Sequence, residues 1–177
     1  MKLSCIIVIA SWAVLCSGQE VHTSQVKDGV YLSISSPQSY EIIAGEKKRP
    51  TLSIQCAQNQ KGTKAQHLVM FSAGGSLSEG SPELTPRNGE ISLKTEVGGT
   101  EEMTNWIPYG DAVTYAYYGK TEPDRAKFLQ LLLTSQMFSV EFTPFLTGTP
   151  IKAVFDLSKL REEVTHHPEC ASKPTAP

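Results

Sequence analysis

The chain has 177 residues, 40% of them hydrophobic, with 16 Lys plus Arg against 18 Asp plus Glu and a formal net charge of −2. That length can bury the core of one ordinary domain. The weak, mixed charge excludes the electrostatic footprint of a nucleic-acid binder.

The chain opens on Lys2, an apolar run from Leu3 through Leu15, and then Cys16, Ser17 and Gly18 before Gln19. This is the order of a secretory signal peptide, so residues 1–18 are expected to be a leader and the product to be exported, periplasmic or secreted. The apolar run of about 13 residues is shorter than the roughly 20 that a helix needs to cross the hydrocarbon core, which argues against a permanent transmembrane span. Cleavage after Gly18 would set Cys16 and Gly18 at the alternate positions where small residues are required. A lipid-anchored alternative would acylate Cys16, although Leu15 is bulkier than the small residue usual before such a cysteine. Loss of Lys2 with the leader leaves 15 basic residues against 18 acidic ones, a net charge of −3. Cys5 and Cys16 also leave, so that Cys56 and Cys170 remain. In an oxidising compartment this pair is expected to form a disulfide tying the C-terminus to the body.

In chain order, period-two alternation predicts strands over Gly29–Ser35 and Thr51–Ala57, the latter turning Leu52, Ile54 and Cys56 to one side. Tyr40–Ala44 is a shorter candidate. The Lys47, Lys48 and Arg49 cluster between Gly45 and Pro50 reads as a solvated loop. His67–Ala73 carries the apolar run of a buried strand, and the Gly-, Ser- and Pro-rich segment 74–89 is the longest predicted loop, a candidate binding element. Ile91–Val97 alternates until Gly98 and Gly99 stop it. Met103–Tyr109 and Ala112–Tyr118 read as strands around a Gly110-Asp111 turn, and Tyr115, Tyr117 and Tyr118 form an aromatic stripe suited either to a binding surface or to cross-strand packing.

Thr121, Pro123 and Asp124 have the arrangement of a capped helix start, followed by an apolar face of Ala126, Phe128, Leu129, Leu131, Leu132 and Leu133. Met137–Phe142 and Ile151–Phe155 are predicted to pair as a hairpin. A second short helix, capped by Asp156 or Ser158, should run to about Thr165 before Pro168, and 171–177 reads as a disordered tail. The expected fold is a single α+β domain over 19–170, a mainly antiparallel sheet or sandwich with two short helices in the C-terminal half and one disulfide.

The C-terminal segment reads Phe128-Leu-x-x-Leu-Leu, then Phe138-Ser-Val-x-Phe-x-Pro144, then Pro150-x-x-Ala-x-Phe155-Asp156-Leu157-Ser158-x-Leu160, and ends at Cys170. This order resembles the C-terminal half of the VasI-like proteins, small exported bacterial proteins associated with type VI secretion, with Lys159 where a glycine is expected. The resemblance covers about a quarter of the chain. It implies an exported accessory domain without established catalytic residues, in which Phe155-Asp156-Leu157-Ser158-x-Leu160 is a strand running into a helix. Read physically, Phe155, Leu157 and Leu160 are anchors and Asp156 an acceptor for helix N–H groups.

For chemistry, His22, His67, His166 and His167 sit in no recognised catalytic or metal motif. A His166-His167-x-x-Cys170 site with Glu163 or Glu169 would require the helix to have ended there and Cys170 to be free of the disulfide. Glu101, Glu102, Asp111, Glu141 and Asp156 supply carboxylates from which a hydrolase pair could be drawn. No elbow, phosphate loop or zinc-protease helix is present. The expectation is therefore a non-enzymatic exported binding or accessory domain, with no cofactor, acting on an unknown protein or envelope component. A small secreted hydrolase and a lipid-anchored structural protein are the alternatives.

Overall fold

The structure, a computed structural model, describes residues 19–27, 29–43, 46–58, 65–74, 90–108, 114–117, 119–143 and 149–170. The expected leader, nearly all of the 74–89 loop, the Gly110-Asp111 turn, Tyr118 and the 171–177 tail lie outside the described residues.

The strands are β1 (Val21–Val26), β2 (Gly29–Ser35), β3 (Tyr40–Ile43), β4 (Glu46–Lys48), β5 (Thr51–Gln58), β6 (Ala65–Ser72), β7 (Ile91–Val97), β8 (Thr100–Pro108), β9 (Thr114–Tyr117), β10 (Met137–Phe142) and β11 (Ile151–Asp156). The helices are α1 (Glu122–Thr134) and α2 (Ser158–Thr165), and a 3-10 turn covers Pro168–Cys170. Nine strands make one antiparallel sheet in the order β1-β2-β5-β6-β9-β8-β7-β10-β11, while β3 and β4 pair separately.

Alternation decides which face is buried. Val30, Leu32 and Ile34 of β2 stand opposite Cys56, Ile54 and Leu52 of β5, and these stand opposite His67, Val69 and Phe71 of β6, all buried. On the other half, Leu93, Trp106, Phe138, Val140, Ala153 and Phe155 fill the same interior. The sheet curls enough for Phe71 of β6 to meet Phe142 of β10 and Phe155 of β11, with ring centroids 5.4 and 6.5 Å apart. Removing these apolar faces from water is the main favourable term in the fold.

The two ends of the curled sheet, β1 and β11, meet across a seam closed by side chains. Gln19 and Ser36 each reach the Val154 carbonyl, at 3.3 and 3.1 Å, and the Val154 N–H points at Ser36 Oγ and Gln38 Oε1, both at 3.3 Å. Asp156 N–H donates to Gln19 Oε1 at 2.6 Å. Beyond these contacts, α2 lies against β1 and β2, with Leu160 and Val164 buried and Glu163 accepting from the Thr23 hydroxyl at 3.1 Å.

Helix α1 begins where its residues dictate. Thr121 Oγ1 accepts the Asp124 N–H at 3.4 Å while Asp124 Oδ2 accepts the Thr121 N–H at 2.9 Å, a reciprocal capping box. Phe128, Leu129 and Leu132 are buried from the predicted apolar face, whereas Leu131 is 43% exposed. The Cys56–Cys170 disulfide, with Cα atoms 5.1 Å apart, joins the C-terminal turn to the inner face of β5.

Three boundaries differ from those expected. β1 falls in a stretch without apolar alternation, because four of its six residues are exposed. β8 starts at Thr100 rather than Met103, because Gly98 and Gly99 form a two-residue turn that pairs Val97 directly with Thr100. Lys47 and Lys48 belong to the β3–β4 ribbon, with Lys47 opposite Glu41. Among the described residues no helix is long and apolar enough to cross a membrane.

Candidate functional site

The outer face of the β7-β10-β11 part of the sheet carries charges rather than apolar groups. Lys94 stands 3.2 Å from Glu101 and 3.7 Å from Glu141, and Lys152 lies 2.7 Å from Glu96. At the end of this lattice near the Gly98-Gly99 turn the surface dips into an open groove of about 560 Å³. Glu96, Ser139, Lys152 and Val154 form its floor, the glycine turn one rim, and Thr134, Ser135 and Gln136, leaving α1, the other. A second hollow continues past Gln136 and Met137 along α2, lined by Asp156, Ser158, Arg161, Glu162 and Thr165. Met137, shared by both hollows, is 46% exposed.

Local sequence explains how the groove is built. Ser135 ends α1 in an extended conformation, and its hydroxyl donates to the Leu131 carbonyl at 2.8 Å, so the chain turns straight into β10. Arg161 of α2 donates through Nη2 to the Ser135 carbonyl at 3.0 Å, binding α2 to that turn. The Lys152 ammonium, hydrogen-bonded to Glu96 with a Coulombic contribution, holds the Glu96 carboxyl below the usual carboxylate range, and Ser139 and Lys94 add to this. The same hydrogen bond raises Lys152. The groove is therefore lined by an ionised pair at neutral pH, with an exposed thioether beside it.

The structure puts the sequence-derived candidates in different places. Tyr117 packs under α1: its ring stacks on Phe128 with centroids 3.9 Å apart and meets Trp106 edge-on at 5.9 Å. Burial, with Glu102 and Asp124 nearby, raises its hydroxyl. Tyr115 lies in β9 opposite Phe71 and Pro108, and Tyr118 lies outside the described residues. Phe155, Leu157 and Leu160 are fully buried. The backbone N–H of Ser158 donates to Asp156 Oδ1 at 2.9 Å, although the residue at the N-cap position is Leu157. Asp156 and Ser158 also line the second hollow, so one motif serves as core anchor and as wall.

Three of the four histidines, His67, His166 and His167, are engaged with carboxylates. His67, buried on β6 opposite Cys56, has Nδ1 2.7 Å from Glu122 Oε1, and Glu122 in turn accepts from Arg125 Nη2 at 3.0 Å. This ties the start of α1 to the sheet. His167 lies 3.6 Å from Glu163 and 3.5 Å from Glu169, and His166 lies 3.7 Å from Glu163. Cys170 is in the disulfide, so a His-His-x-x-Cys ligand set lacks its thiolate. Among the described residues, no three His, Cys, Asp or Glu side chains converge as a metal site.

Sequence reading missed Glu96, Gln136, Met137, Ser139 and Lys152 as a group. Glu96 and Lys152 are 56 positions apart and become neighbours only because β10 inserts between β7 and β11. No family model, curated protein or solved structure matches this chain.

Proposed function

We propose that this chain is an exported, non-enzymatic binding domain, freed of its leader after Gly18, which holds a protein segment in the groove around Met137. The observation that carries the reading is the groove itself: an open surface where an exposed thioether lies beside the self-neutralised Glu96–Lys152 pair. Methionine adapts its shape to a partner, and a flanking ion pair sets orientation more than affinity. A hydrolytic carboxylate pair needs one acid kept protonated near neutral pH. Glu96 is the one carboxylate among the described residues lining the groove and is paired with Lys152 rather than with a second acid, which favours binding over the hydrolase alternative.

The Cys56–Cys170 disulfide supports folding in an oxidising compartment. The resemblance of the Phe128–Cys170 segment to VasI-like exported proteins supports an accessory role, with a partner in the envelope or outside the cell.

The test is a photo-crosslinking residue placed at Met137 in the chain expressed in its native cells, with Met103, 64% exposed on β8, as the comparison site. A discrete protein adduct at 137 that is absent at 103, and is lost when Lys152→Glu is introduced, supports the reading. Equal labelling at both positions, or none at 137, refutes it.

A further inference from the structure

Gln19 is the residue expected to become the N-terminus when the leader is removed after Gly18, and with Ser36 and Gln38 it is also one of the residues that reach across the seam to β11. Its side-chain amide is used at both atoms. Nε2 donates to the Val154 carbonyl at 3.3 Å and Oε1 accepts the Asp156 N–H at 2.6 Å. Both partners are backbone groups on the outer edge of β11, the side away from β10. An unpaired strand edge is a liability that must be covered, and this amide covers it where no strand does.

A glutamine at a free N-terminus has its own chemistry. Its α-amino nitrogen can attack the side-chain Cδ, forming the N–Cδ bond of a five-membered lactam. The Cδ–Nε2 bond breaks, and Nε2 leaves with one amine proton as ammonia. The reaction needs no other reactant, but the side chain must fold back onto its own amine. In the folded chain both atoms of that amide are instead committed to β11. The ring would also draw the Cδ carbonyl in beside Cα, away from Asp156, and would expel the nitrogen that reaches Val154.

We infer that the fold holds Gln19 as an open amide clasp on β11 and so keeps the exported chain's N-terminus from cyclising to pyroglutamate. The inference rests on the cleavage position proposed above, and the two are tested separately. Cyclisation gives up both hydrogen bonds, because Nε2 is expelled and the Cδ carbonyl is taken into the ring. Cyclisation in the folded protein should therefore be at least about tenfold slower than in the unfolded chain, which follows from the net worth of one to two such bonds.

The experiment uses full-length mature chain made to begin at Gln19, incubated at neutral pH in buffer or in concentrated urea, with the mass of its N-terminal peptide followed over time. Loss of ammonia in urea with retention of glutamine in buffer is the expected result. Equal rates in the two solvents overturn the proposal. Because any ordered terminus is slowed to some degree, hydrogen exchange at the Asp156 amide is compared between this chain and Gln19→Ala. Exchange there should rise about tenfold while the β5 and β6 core amides are unchanged, as expected when one edge bond is lost. An unchanged Asp156 amide overturns the clasp. The N-terminal peptide of protein from native cells decides the cleavage reading: a different first residue refutes that reading alone, because the chain built to start at Gln19 still tests the clasp.

Discussion

At the residue scale, single polar groups buried at the rim of the core control the pH range of the fold. Tyr40 of β3 packs edge-on against Phe142 at 5.7 Å and donates its hydroxyl to the Ala73 carbonyl at 2.6 Å. Burial pushes the hydroxyl from an ordinary 10.0 up to about 12. A group raised in the folded state contributes stability below its unfolded value and loses it as pH rises through the folded one. Stability should thus decline as pH rises from about 10 towards 12. Tyr40→Phe is expected to flatten that decline and to cost about 1–2 kcal/mol at neutral pH, since the Ala73 carbonyl loses its donor. Urea midpoints at neutral and alkaline pH check both, and an unaltered alkaline decline in Tyr40→Phe refutes the assignment. Nothing in the sequence marks Tyr40 as different from Tyr117, because the distinction lies in what each ring meets. His67 makes the same point. Its place on a buried strand was legible, but its partner Glu122 lies 55 positions away.

At the element scale, short-range chemistry was read most reliably. The Thr121–Asp124 box starts α1 as its residue types require, and the Thr121 hydroxyl and backbone N–H hold the Asp124 carboxyl below its usual range. Thr121→Ala should destabilise by about 1 kcal/mol, measurable as a lower urea midpoint. Asp124 is depressed in the folded state, so its contribution is present above the ordinary carboxylate range and is lost as pH falls through the folded value. A Thr121→Ala chain should lose less on acidification than the natural one. The Gly98-Gly99 turn, with φ of +58° and +80°, has a conformation that L side chains rarely adopt. Gly99→Val should cost at least about 1 kcal/mol even though a Cβ there meets nothing within 4 Å, so a neutral result in thermal unfolding would count against backbone strain. Besides β4, which falls in the basic stretch expected to be a loop, only β1 escaped sequence reading altogether. It is an edge strand with little buried surface, and period two carries no signal when both faces are polar.

At the scale of the whole molecule, the disulfide and the seam hold together parts of the chain that are distant in sequence. The Cys56–Cys170 bond closes a separation of 114 residues, and in the chain-entropy view its loss destabilises by on the order of 4–5 kcal/mol. The double variant Cys56→Ser with Cys170→Ser should unfold at much lower urea, and a midpoint unchanged from the natural chain refutes a stabilising role. The sequence alone determined the alternating strands, the capped helix, the hairpin of β10 and β11, the antiparallel α+β class and the identity of the cysteine pair. Each follows from local periodicity, from capping chemistry or, for the cysteines, from the expected loss of Cys5 and Cys16 with the leader. Tertiary structure alone decided the strand order, which inserts β10 beside β7 and brings Lys152 to Glu96. It also decided the curl that puts Phe71 against Phe155, the use of Tyr117 as packing, and the seam where Gln19 meets β11. Strand partners are chosen by how buried faces and edges fit one another across the whole chain, and one segment's pattern holds no record of that choice.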